Sequence, residues 1–347
     1  MKIAEKNPKT NQLGQGIDEA QVYAAIEKSG YPLQTRVAEI LRPSFEVQEE
    51  WCYVDRDTRE LRSIDLRAWR ILHGWEPQPR VRPHVDLLVE CKQSQLPYVF
   101  FLSPGKPHMI VDFPVIAGLR NDQITISTDD DASRWNLTVI NTLSLSADAF
   151  RQEPVHCNTF SKCVRKGPNI ELSGVDAYSS LILPLIKALQ HFEVAETAVQ
   201  TAWYFDAHLL VALGVLDAPM ISSAVDDDGK TTLTLLPWVR VLRHEYSDKA
   251  ERWDKNRVRA VDIVHKDFLG TYLKTHLLPF AERFSERVLR HPTELATSKG
   301  FIAGMGADWH TNLEARLHSR SDGSPISKLR SRNRPRSTAE MKATQKK

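Results

Sequence analysis

The chain has 347 residues and a net charge of only +2, with 41% hydrophobic and 26% charged residues, the balance of a folded chain with a sizeable core. No apolar run nears the roughly 20 residues that a membrane-spanning helix needs, and four scattered cysteines (Cys52, Cys91, Cys157, Cys163) do not make a disulfide framework. There is no Gly-rich phosphate loop, GxSxG elbow or HExxH pair, which argues against an ATPase, a serine hydrolase and a zincin.

The opening MKIAEKNPKTNQLGQG is polar and lacks the apolar core of a secretory signal, so residues 1–16 read as a flexible leader and the protein as cytoplasmic. A helix is predicted over 17–28, with Val22, Tyr23 and Ile26 on its apolar side and Ser29-Gly30 as its stop. A second opens at Tyr31-Pro32 and runs to about Arg42. Its buried stripe is Leu33, Val37, Ile40 and Leu41, and Glu39 sits beside that stripe. Two β-like segments around Asp55-Arg56-Asp57-Thr58 predict a hairpin, with Ser63, Asp65 and Arg67 on one face of its second strand.

The stretch PHVDLLVECKQS, residues 83–94, predicts a buried strand over 85–92. Side chains alternate along a strand, so Val85, Leu87, Val89 and Cys91 share one face. Asp86, Leu88, Glu90 and Lys92 share the other. An acid and an amine at the end of an apolar strand are costly to bury without partners. QLPYVFFL follows as another apolar strand. Continuous rather than alternating apolar strands predict a sheet covered on both faces, hence an α/β fold.

Farther along, 138–145 is a candidate strand, and TFSKCVRKGP carries a basic cluster of Lys162, Arg165 and Lys166. Helical spacing over 175–192 is interrupted by Pro184, and a further helix is a candidate over 193–203. AHLLVALGVL, a DDDGK turn, LTLLPWVRVLRHEY and RVRAVDIV predict strands, and 266–289 a long amphipathic helix. From Ser319 onward nine Lys/Arg face two acids, a net of +7, which leaves −5 on residues 1–318. This Ser-, Pro- and Arg-rich tail is expected to be disordered and suits nucleic acid, although a purely solubilising tail has the same composition.

Three (Asp/Glu)-x-Lys triplets occur, at 90–92, 228–230 and 340–342, and only the first ends an apolar strand. It follows a strand with Asp65, 25 residues earlier, and a helix with Glu39, 26 residues before that. The order of helix with Glu, hairpin with Asp and strand with Glu-x-Lys resembles the PD-(D/E)xK nuclease superfamily. The overall shape, with ECK followed by a short polar step and an aromatic strand, looks like stand-alone bacterial nucleases of the restriction or phage-defence kind. The resemblance covers roughly residues 20–103. It implies a restriction-endonuclease-like central mixed sheet flanked by helices, with a nuclease core over 17–104. Beyond it the residues lead us to expect an α/β extension over 105–300 packed on the same core and a mostly disordered basic tail over 301–347. By the same resemblance Asp65 is the motif acid, Glu90 the second acid, Lys92 the lysine, and Glu39 the acid of the first helix. Ile64 departs from the pattern, standing where the name-giving Pro would be.

The residue types suit the chemistry. Carboxylates hold Mg²⁺ (Mn²⁺ as substitute), which keeps several waters and bridges to phosphate oxygens. Asp65 and Glu90 would grip the ion with the Cys91 carbonyl as a third ligand, and Lys92 would orient the attacking water and offset developing charge. Glu39 would serve a second metal or a metal-bound water. The expected activity is a Mg²⁺-dependent endonuclease acting on DNA, with no membrane association, as a homodimer or with a partner subunit. The alternative is a non-catalytic nucleic-acid-binding or assembly subunit, in which Glu90 and Lys92 are a plain ion pair on an edge strand. His156, Cys157 and Cys163 lie close together but lack a second pair at zinc spacing.

Overall fold

The computed structural model describes residues 1–74, 77–104, 111–244, 258–304 and 312–319. Most of the basic tail therefore lies outside the described residues. Helix α1 (Glu19–Lys28) is started by Asp18, whose carboxylate accepts the Gln21 amide while the Gln21 side chain accepts the Asp18 amide. None of its residues is buried, so its apolar side packs only lightly. Helix α2 (Tyr31–Leu41) has Pro32 in its first turn and buries Leu33, Gln34, Val37, Ala38 and Leu41. The stripe is thus rotated toward Gln34 and Ala38, and Ile40 is only half-buried.

Strands β1 (Glu46–Val54) and β2 (Leu61–Ile71) form the predicted hairpin. Its turn is held by the Asp55 carboxylate, which accepts the amides of Asp57 and Thr58, and by Arg59 in the left-handed region. Then come β3 (Val81–Gln93) and β4 (Tyr98–Leu102), with the short β5 (Val111–Asp112) and β6 (Val115–Ala117). Strands β7 (Gln123–Thr128) and β8 (Arg134–Thr138) follow. The candidate strand over 138–145 is instead a short helix, α3 (Val139–Thr142), because the Thr138 hydroxyl caps it by accepting the Asn141 amide. After α4 (Ala149–Gln152) come the long β9 (His156–Lys166) and β10 (Asn169–Ser173).

Helix α5 (Gly174–Ala177) passes through a π-helical turn, Tyr178–Ile182, into α6 (Leu183–Ala195). The wide turn lets Pro184, which has no N–H to give, sit in the first turn of α6. The same device recurs at Pro279. There α7 (Leu269–Thr271) and a π-helical turn, Tyr272–Leu277, precede α8 (Leu278–Arg290). The chain leaves α6 at Ala195, short of the helix considered over 193–203. Between them run β11 (Phe205–Asp217), β12 (Met220–Val225), β13 (Thr231–Leu235), β14 (Trp238–His244) and β15 (Val258–His265), and β16 (Lys299–Ile302) comes late.

Among the described residues, strands from both halves of the chain enter one mixed 13-stranded sheet in the order β1-β2-β3-β11-β15-β14-β9-β4-β12-β13, with β10, β5 and β6 paired off this path to β9, β15 and β11, and β16, β7 and β8 make a second small sheet. The first three strands are antiparallel, and β11 runs parallel to β3 along its whole length, 205–217 against 81–93. The sheet is strongly curled. Five strand spacings of a flat sheet would separate β3 from β4 by about 24 Å. The chain from Gln93 to Tyr98 spans at most about 18 Å, so β4 is brought back round. The curl wraps α6, whose Leu185, Ile186, Leu189 and Phe192 fill one core with Leu88, Leu210 and Phe100. The second core, on the other face, packs α2 and α8 against Val85, Leu87, Val89 and Cys91. Among the described residues no helix is long and apolar enough to cross a membrane.

Candidate active site

Strand β3 is buried from Val85 through Cys91, so any charge on it is held in low dielectric. Its ladder with β2 ends at Leu66 opposite Val89. One step on, where Asp65 faces Glu90, the regular pairing stops. Asp65 turns its side chain into the gap, and its Oδ2 accepts the Cys91 amide at 2.6 Å. Lys92 Nζ donates to Glu90 Oε1 at 2.6 Å. Asp65, Glu90 and Lys92, on adjacent strands, are thus brought together where the sheet opens.

Glu90 is 6% exposed, and its second oxygen, Oε2, is buried with no hydrogen-bond partner among the described residues. Burial, then the charge of Asp65, pushes its carboxyl up to about 7, and the attraction of Lys92 only partly offsets this. Asp65 is raised in the same direction. Burial is the main cause, the Cys91 amide and Lys92 pull back, and Glu50 adds to the rise. At Lys92 the balance reverses: burial lowers its amine, but the charge and hydrogen bond of Glu90 and the charge of Asp65 outweigh it. The centre therefore holds a firm cation beside two carboxyls that resist ionisation.

Two groups missed from sequence complete the surroundings. Gln34 of α2 donates through Nε2 to the Asp65 carbonyl at 3.1 Å and to Glu50 Oε1 at 2.9 Å. Glu50 adopts a left-handed φ of 51°, uncommon for a long side chain, and interrupts the ladder opposite Asp65. This residue swaps the faces of the hairpin. Before it Val47 packs with the α2 core, along with Leu66 and Ala68 across the ladder. After it Trp51 and Tyr53 join Ile64 in the α6 core. The polar member of an otherwise apolar α2 stripe was the sequence signal for Gln34. Nothing local announced the backbone of Glu50.

Glu39 is exposed on the side of α2 away from its buried stripe, and the structure does not bring it to Asp65. Cys91 is buried in the α2 core with its thiol pushed up, first by burial and then by Asp65 and Glu90. Asp86 is fully buried, 2.8 Å from Arg67 Nη2 and 2.7 Å from His208 Nδ1. Although burial opposes it, those two partners hold its carboxyl below the usual range, as befits a structural ion cluster. His156, Cys157 and Cys163 lie on β9 with all their thiols free.

Among the described residues no three His, Cys, Asp or Glu side chains meet as a metal-holding group. Mg²⁺ keeps several waters and is held by one or two carboxylates. Asp65 and Glu90 fit such an ion. Their carboxyls are adjacent and share the single ammonium of Lys92, and one oxygen of Glu90 has no partner among the described residues. No protein-family model, curated protein or solved structure matches the chain.

Proposed function

We propose that this protein is a metal-dependent nuclease of restriction-endonuclease-like fold that hydrolyses phosphodiester bonds in DNA. The observation that carries the reading is the buried, unpartnered Oε2 of Glu90 beside Asp65, with Lys92 fixed on the other oxygen. Leaving a buried carboxylate oxygen unmatched costs about 1–3 kcal/mol or more. A site that accepts this cost is built for a ligand that supplies positive charge. The element order supports the fold assignment: helix α2, hairpin, strand with Glu-x-Lys, in a mixed sheet covered by helices on both faces.

Asp65 and Glu90 would hold Mg²⁺, which lowers the pKa of bound water and draws charge from the phosphate. Lys92 keeps its proton because Glu90 and Asp65 favour its charged form. Its 29% exposure lets the ammonium reach a phosphate at the open end of the ladder and offset charge that builds on it. The Cys91 amide fixes one oxygen of Asp65, so that carboxylate is oriented before substrate arrives. The test is cleavage of linear and supercoiled DNA with Mg²⁺ or Mn²⁺ by wild type, Asp65→Ala and Lys92→Ala. Loss of cleavage in both variants is expected, with a cooperative thermal transition retained to show that each variant still folds. Cleavage that persists in both would remove these residues from the chemistry.

A further inference from the structure

The basic cluster of Lys162, Arg165 and Lys166 lies outside the site just described, and the fold gives it a distinctive setting. Strand β9 starts inside the sheet, paired with β14 at His156 and Cys157 and with β4 up to Lys162. Beyond Lys162 it outruns both, and its only strand partner among the described residues is β10, register Lys162–Ser173 to Lys166–Asn169. The result is a two-stranded ribbon closed by Gly167 at φ 61° and Pro168. Four of the five residues of β10 are exposed, as are Arg165 and Lys166. The ribbon carries three cations and one acid, Glu171, which lies 3.1 Å from Lys166. This positive arm stands out against a body whose net charge is −5 over residues 1–318.

Its root ties it to the candidate active site. The Cys163 amide donates to the Pro97 carbonyl at 2.8 Å, and Pro97 lies five residues after Lys92. Five residues reach at most about 18 Å, roughly half of the ~34 Å turn of B-DNA. The ribbon therefore leaves the sheet close to the end where Lys92 stands. A two-stranded ribbon also fits the ~12 Å major groove, which admits that element as readily as a helix.

We propose that the β9–β10 ribbon is an arm that grips duplex DNA, its cations lying on phosphates of the duplex presented to Lys92. The inference rests on the reading of this protein as a DNA nuclease. Cations lie on both faces of the ribbon, Lys162 and Lys166 on one and Arg165 on the other. That distribution suits an element flanked by two phosphate backbones. Ile170 and Leu172 are 56% and 52% exposed on the Arg165 face, and they make a protein partner or a second copy the competing occupant.

The experiment uses full-length wild type, the triple variant Lys162→Glu/Arg165→Glu/Lys166→Glu and the single variant Arg165→Ala. Binding to a fluorescent 25-base-pair duplex is read by anisotropy in EDTA across a salt series, alongside melting temperature and Mn²⁺ affinity. Each lost phosphate contact lowers the slope of log K against log salt by about 1. The triple variant is therefore expected to lose about 2–3 of that slope and bind at least about tenfold more weakly, and Arg165→Ala to lose about 1. Melting temperature and Mn²⁺ affinity should not move. Equal slopes in all three proteins would overturn the arm. So would unchanged DNA affinity in the triple variant combined with loss of a dimer in sedimentation, which would make the ribbon a protein contact. Duplex binding that depends on the ribbon without Mg²⁺-dependent cleavage would sink the nuclease reading and leave the arm standing. Cleavage by the triple variant at wild-type KM would do the reverse.

Discussion

Two clusters of buried charge lie in the same sheet and are built on opposite principles. At Arg240, 2% exposed, Nε and Nη2 reach the two oxygens of Asp262 at 2.7 and 2.9 Å, and Nη1 and Nη2 donate to the carbonyls of Arg151 and Phe150. The Tyr272 hydroxyl adds a further donor to Asp262 at 2.9 Å, and the guanidinium lies 3.8 Å from the Phe113 ring centroid. Both oxygens of this carboxylate are matched. At Glu90 one oxygen is paired with Lys92 and the other with nothing among the described residues, while a second carboxyl crowds it. Burial alone does not separate structure from chemistry here. The difference is the completeness of pairing: a closed network holds the α4 segment to β14 and β15, and the open one leaves an oxygen of Glu90 unmatched among the described residues, which the proposed metal site would use.

The largest effect is expected from breaking the closed network. Arg240→Met leaves Asp262 buried and uncompensated, which costs about 3–5 kcal/mol, and a fall in denaturant midpoint with unchanged slope would measure it. Any DNA cleavage should then disappear only in step with unfolding. A loss under about 1 kcal/mol would mean that the two networks are not so different.

Removing charge from the open network should act in the opposite direction on stability. Glu90 ionises at about 7 in the fold, above the ordinary Glu value of 4.5, so the folded state binds its proton more tightly than the unfolded chain. Its penalty is absent below about 4.5, grows as pH rises through 7, and is constant above. Glu90→Gln should therefore be more stable than wild type above pH 7, by up to about 3 kcal/mol, and lose that advantage in acid. It should also abolish cleavage. Thermal melts of both proteins between pH 4 and 8 check this, and a pH-independent difference would show that Glu90 is not held in its proton-binding state.

How far sequence could see these two networks follows from the elements that build them. Glu90 and Lys92 were legible because strand alternation is rigid along β3, and one residue type every second position fixes a face. The same alternation on β2 placed Ile64 with Leu66 and Ala68, and the structure breaks it at Asp65, sending Ile64 to the other core. The α/β class was legible for the same reason, in the unbroken apolar runs of β3 and β11. The curl of the sheet was not, since it is set by which strands pair rather than by any one strand's pattern. The Arg240–Asp262–Tyr272 network was equally invisible, its members lying on β14, β15 and the π-helical turn before α8. Glu50 required a left-handed backbone that no glycine announced.

Glu50 gives a smaller and sharper test of the open network. It raises Asp65 by repulsion and is itself held by Gln34, so it acts on the centre through its neighbours. Partners of this outer kind are worth 10–100-fold in metal affinity. Glu50→Gln and Gln34→Ala should each weaken Mn²⁺ binding by about tenfold, measured by calorimetry, with stability within about 1 kcal/mol of wild type. Unchanged Mn²⁺ affinity in both would confine the centre to Asp65 and Glu90.

The smallest effect belongs to Glu39, and its smallness is informative. The stripe predicted from Leu33, Val37, Ile40 and Leu41 placed Glu39 at the border of the buried face. The actual stripe includes Gln34 and Ala38 and leaves Ile40 half-buried. Gln34 and Glu39 stand about 140° apart around the helix, so the face that meets the centre brings the amide and leaves the acid in solvent. Glu39→Ala should then change stability by no more than about 0.5 kcal/mol and leave Mn²⁺ affinity and DNA cleavage at wild-type levels. Gln34→Ala, five residues away on the same helix, should not. A Glu39→Ala protein with weakened Mn²⁺ binding would show that α2 turns its other face to the centre in solution, and with that the roles given to Gln34 and Glu50 would fall together.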